Sequence, residues 1–84
     1  MLRTILLEEY MATIARIGNL KIQIYAEDHN PPHFYVVAPD CEAAIKLADL
    51  SILRGSLRRS DYRIVREWAF QNRKLLEDAW KSKN

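Results

Sequence analysis

The sequence predicts a small α+β domain, an antiparallel sheet of four to five strands packed against one long C-terminal helix. Three observations carry that expectation. Between residues 12 and 47, short runs alternate apolar and polar side chains and are separated by turn residues. Between residues 57 and 81, apolar side chains recur at spacings of three and four. No Gly or Pro interrupts that second stretch. The 84 residues fit one domain, 1–84. A sheet this small needs the helix to cover its apolar face.

The first strand is expected at ATIARI, residues 12–17. Leu2, Ile5, Leu6, Tyr10, Thr13, Ile14 and Ile17 also fit a helical spacing, so a short helix over residues 3–11, before or instead of that strand, stands as an alternative. Gly18-Asn19 suits a type II′ hairpin turn, with Gly in the position that needs positive φ. LKIQIYA follows, with Leu20, Ile22, Ile24 and Ala26 on one face. HFYVVA places Phe34, Val36 and Ala38 on one side and His33, Tyr35 and Val37 on the other. Pro39-Asp40 turns the chain into CEAAIKL, whose Cys41, Ala43, Ile45 and Leu47 share a face. After Ala48-Asp49, a short last strand near LSIL ends at Gly55.

In the helical stretch, Val65, Trp68, Ala69, Leu75, Leu76, Ala79 and Trp80 form the apolar stripe. Ser60 is the expected N-cap, with Ser56 as an earlier start. Asp61 suits the positive field of the first turn, and Lys81 and Lys83 suit the other end. From Arg54 onward nine bases face four acids, whereas the residues before it carry four bases and seven acids. Such a basic C-terminal third can attract nucleic acid or an acidic protein, or be a solvated helix face with local ion pairs. Arg58-Arg59 at the helix start opposes the dipole, which calls for an anion nearby: Glu27 or Asp28 from within, or a phosphate from outside. The lone Cys41 forms no internal disulfide and reads as a structural thiol. MLRTILLEEY has too short an apolar stretch for a signal peptide, and no run approaches a membrane span, so a cytoplasmic protein without membrane contact is expected.

EDHNPPHFY, residues 27–35, holds both histidines. Pro31 and Pro32 lack N–H groups and fix φ, so the segment is a stiff loop, compatible with a cis X-Pro bond. Four readings follow. His29 and His33, with Asp28 or Glu27, are weak candidates for metal ligands, because Pro-Pro forbids the helix that would put both rings on one face. The two imidazoles could instead act as base and acid in phosphodiester cleavage, with Arg58, Arg59 or Arg63 holding the phosphate and Tyr35 donating a hydrogen bond. In the plainest reading, each ring caps a backbone group beside the prolines. In the last, rigid imidazole and aromatic groups contact RNA or a protein.

H-x-P-P-H at His29 to His33, E-A-x-I at Glu42 to Ile45, an L-x-G segment ending at Gly55, and REWAFQNRKLLEDAW in the helix together resemble the bacterial family called domain of unknown function 4160. The resemblance spans roughly residues 11–81. The usual signature of that family is H-x-P-P-H-x-H, and Tyr35 stands where its third histidine lies. Arg58 replaces a proline common at the helix start, and residues 1–10 read as an extension or a mis-assigned start. The resemblance implies a small protein encoded beside a second one in a toxin–antitoxin-like pair, and no established reaction or cofactor. The expected function is a non-catalytic binding component of such a module, with His29, His33, Tyr35, Arg58, Arg59 and Arg63 on one surface. Its expected partners are the small protein encoded alongside, or RNA or DNA. The competing reading is a histidine-dependent ribonuclease using His29 and His33.

Overall fold

The computed structural model describes residues 10–84. Five strands form one sheet: β1 Met11–Ile17, β2 Leu20–Tyr25, β3 His33–Val37, β4 Glu42–Lys46 and β5 Ile52–Gly55. They lie in sequence order and every neighbouring pair is antiparallel, so each connection is a local turn. Two helices follow, α1 Arg59–Gln71 and α2 Arg73–Lys83. The expected α+β architecture is therefore present. Because β1 starts at Met11, no helix replaces it. Of the alternative helix over residues 3–11, positions 3–9 lie outside the described residues.

The turns follow the local chemistry. Ile17 pairs with Leu20, and only Gly18 of the two turn residues has positive φ, the type II′ pattern. Gly55 has φ of 80° and passes so close to β4 that a Cβ there would lie 2.2 Å from the Glu42 carbonyl oxygen. Only a residue without a side chain fits that approach. The last strand begins later than LSIL suggests. Leu50 adopts φ of 62° in a turn closed by its N–H donating to the Lys46 carbonyl, and it sends its side chain into the core. Asp49 holds the same turn by accepting from the Ser51 N–H and hydroxyl.

The long helical stretch is two helices, parted at Asn72. The Asn72 side-chain amide donates to the Trp68 carbonyl, competing with the backbone ladder, and its φ of −120° leaves the helical region. The expected Ser60 cap is not formed. α1 begins two residues earlier, with Arg58 at the N-cap and no side-chain cap bond, so Ser60 lies inside the first turn. Asp61 does sit in that turn. Val65 and Ala69 of α1, with Leu76 and Trp80 of α2, pack on Ile22, Ile24, Phe34, Val36 and Ile45 of the central strands. Leu75, expected in that stripe, faces solvent instead. Cys41 is a free thiol packed partly against the core. Among the described residues, no helix is long and apolar enough to cross a membrane.

Candidate functional site

The structure parts the two histidines. His29 is exposed, and its imidazole has no partner among the described residues. His33 opens β3 and is almost wholly buried, although its place in the alternation put it on the outer face of the sheet. The end of α2 accounts for this, since Trp80 lies over the ring with centroids 5.3 Å apart. His33 Nδ1 lies 2.7 Å from the Pro31 carbonyl oxygen. That oxygen only accepts, so Nδ1 carries the proton. His33 Nε2 is 3.0 Å from Asp28 Oδ2, with the two side chains 1% and 16% exposed. This contact does not have the geometry of a hydrogen bond, so Nε2 is buried without a hydrogen-bond partner among the described residues.

The loop around this ring is tied down at several points. The Asn30–Pro31 bond is cis. The Asp28 N–H donates to Asn84 Oδ1, and the Asn84 amide donates to the carbonyls of Tyr25 and Trp80. The Pro32 carbonyl accepts from the Leu47 N–H. An aromatic row continues from His33 through Tyr35 and Tyr25 to Tyr10, with centroids 5.1 to 5.8 Å apart. Burial pushes the Tyr25 phenol above its ordinary range, and the Glu42 carboxylate adds to this. The Tyr35 hydroxyl accepts from Arg54 Nη2 at 2.7 Å, so it is engaged away from His33.

The arginines do not join this loop on one surface. Arg58 lies at the other end of the sheet, beside the Gly18 turn and the Asp40 turn. Its counter-ion is Asp40 at 3.1 Å, an exposed pair, rather than Glu27 or Asp28. Arg59 and Arg63 line a separate groove of about 690 Å³ between α1 and the β4–β5 turn. Nor is the candidate metal set of Asp28, His29 and His33 assembled: among the described residues, no three His, Cys, Asp or Glu side chains converge in a way that could hold an ion.

The description "Domain of unknown function (DUF4160)" matches residues 19–81, three quarters of the chain. The chain belongs to the DUF4160 family. The match runs from β2 through α2, and so takes in the His33 loop, the sheet core and the groove. No curated protein and no solved structure matches the chain.

Two features of this DUF4160 domain escaped the sequence reading. One is Trp80 as the lid on His33, which depends on where α2 ends over the sheet. The other is the full extent of the groove, where Arg66, Arg73, Tyr62 and Phe70 join Arg59 and Arg63. A signal for it was present. Residues 59, 63, 66 and 70 step through a helix at increments of four, three and four, which keeps them on one face.

Proposed function

We propose that this DUF4160 chain is a non-catalytic binding component of a toxin–antitoxin-like module, paired in the cytoplasm with a small protein encoded alongside it. The burial of His33 carries the non-catalytic part. Base and acid must both reach a substrate, and His33 is enclosed by Pro31, Asp28 and Trp80 with a side chain 1% exposed. Its contacts are those of a ring that shapes its loop, and His29 has no second imidazole to work with. The two-protein part rests on the family habit that the sequence resemblance implies. Apolar side chains left in solvent on the helices suit a protein partner: Leu75 is 48% exposed and Ile64 46%.

The test is co-expression with the neighbouring small protein, followed by light scattering on the eluted species. A complex of fixed stoichiometry is expected, and it should survive His29→Ala. The reading fails if the two proteins elute apart. It fails equally if the purified chain cleaves RNA and His29→Ala abolishes that cleavage, which would favour the ribonuclease.

A further inference from the structure

The groove along α1 has a chemistry that a protein partner does not explain. Arg59, Arg63 and Arg66 line it, and none of the three has an ion pair or hydrogen bond among the described residues. Arg73 closes one end and is already engaged, donating to the carbonyls of Leu47 and Ala48. Two acids also line the groove. Asp49 is committed to Ser51, and Glu67 alone faces the three free guanidinium groups. Arg59 is also the first residue of α1, where its charge opposes the dipole, and the first-turn Asp61 makes no ion pair with it.

We infer that this groove binds single-stranded nucleic acid, with Arg59, Arg63 and Arg66 on phosphates and Phe70 stacked on a base. The three arginines climb one helix face in steps of about 6 and 4.5 Å, a ladder along which a backbone can run. Every base in the groove is an arginine, whose planar fork matches a phosphate. Phe70 decides between a phosphate chain and an acidic peptide. It is 71% exposed in the same wall, and an open aromatic face offers little to carboxylates. Bases stack on such a face whatever their sequence, and basic grooves with aromatic platforms are how single strands are held. Tyr62 supports the wall from beneath, with its hydroxyl donating to the Leu50 carbonyl at 2.6 Å. The inference stands apart from the protein partner proposed above and does not need it.

The test is fluorescence anisotropy on the full chain with a labelled single strand of about 12 nucleotides, as RNA and as DNA, and with the matching duplex. Titrations run between about 50 and 200 mM salt. Single strands should bind at least about tenfold more tightly than the duplex, and the RNA and DNA arms show which sugar is preferred. R59Q/R63Q/R66Q should reduce the slope of log affinity against log salt by about 2, at roughly 0.7 for each phosphate contact. Phe70→Ala should weaken binding about tenfold and leave that slope unchanged. Arg63→Gln alone, with a slope change of about 0.7, serves if the triple variant unfolds. K74Q/K81Q removes two charges outside the groove and should change nothing. The inference is overturned if no single strand binds at the lower salt, if the duplex binds as tightly, if Phe70→Ala has no effect, or if the lysine variant loses as much as the arginine one.

Discussion

Around His33, a ring, a carboxylate and an indole are packed together with little exposure, and the ring nitrogens face the Pro31 carbonyl and the Asp28 carboxylate. Along α1, three arginines stand in solvent with no ion pair among the described residues. Both regions are rich in charge, and sequence alone made the first look like the site. Their surroundings reverse that impression. A group enclosed by its partners is spent on the fold, whereas a charge left open and uncompensated is free for a ligand. Removing the first should cost stability and removing the second should cost binding.

The widest separation is expected between two aromatic residues. Trp80→Ala should lower unfolding free energy by about 3–5 kcal/mol, because it uncovers His33 and opens the core. Phe70→Ala should change it by less than about 0.5 kcal/mol. Urea unfolding of both variants measures the contrast, and equal losses would erase the distinction between the regions. The histidines come next. His33→Ala should cost about 2–4 kcal/mol, since it leaves Asp28 and the Pro31 carbonyl without their ring, while His29→Ala should stay within about 0.5 kcal/mol of the parent. Comparable thermal shifts in the two would contradict this. At Arg59 the sign should invert. Arg59→Gln is expected to raise stability by about 0.3–1 kcal/mol by removing a cation from a helix start, even as it weakens oligonucleotide binding. A drop in melting temperature would show that this arginine has a folded-state partner.

The smallest effect concerns acid. Hydrogen bonds from the Ser51 hydroxyl and then its N–H hold the Asp49 carboxyl below its ordinary range, with Lys46 adding to this. A carboxyl lowered in the folded state contributes stability above its unfolded pKa, and that contribution fades as pH falls through the folded value. The parent should therefore lose stability below the ordinary carboxylate range more steeply than Asp49→Ala does. Parallel acid limbs in thermal melts at stepped pH would remove this role.

How much was legible in the sequence depended on the range of the forces involved. Alternation in LKIQIYA and HFYVVA comes from the pleat itself, so Leu20, Ile22, Ile24, Phe34 and Val36 could be placed in the core from spacing alone, and they lie there. Gly18 was equally readable, because its turn depends on its own φ. Leu50 was not, since a left-handed leucine is tolerated only when the core rewards its side chain. The break at Asn72 hid inside good helix periodicity and became visible only through its side-chain bond to Trp68. At the candidate site, the stiffness of Pro31-Pro32 was legible but the fate of His33 was not. Its burial is decided by Trp80, forty-seven positions further along the chain, and no local pattern encodes that meeting.

Gly55 has a reach well beyond β5. The Glu42 carbonyl that a Cβ would strike is the same oxygen that accepts from the Ser56 N–H, the last bond before the chain leaves the sheet for α1. Three residues on is Arg58, and then the first arginine of the groove. The seam at Gly55 thus works as the anchor of a short lever arm. Any side chain there would push the arm outward and carry the whole arginine ladder with it, so a position that touches no ligand sets the aim of the face that would.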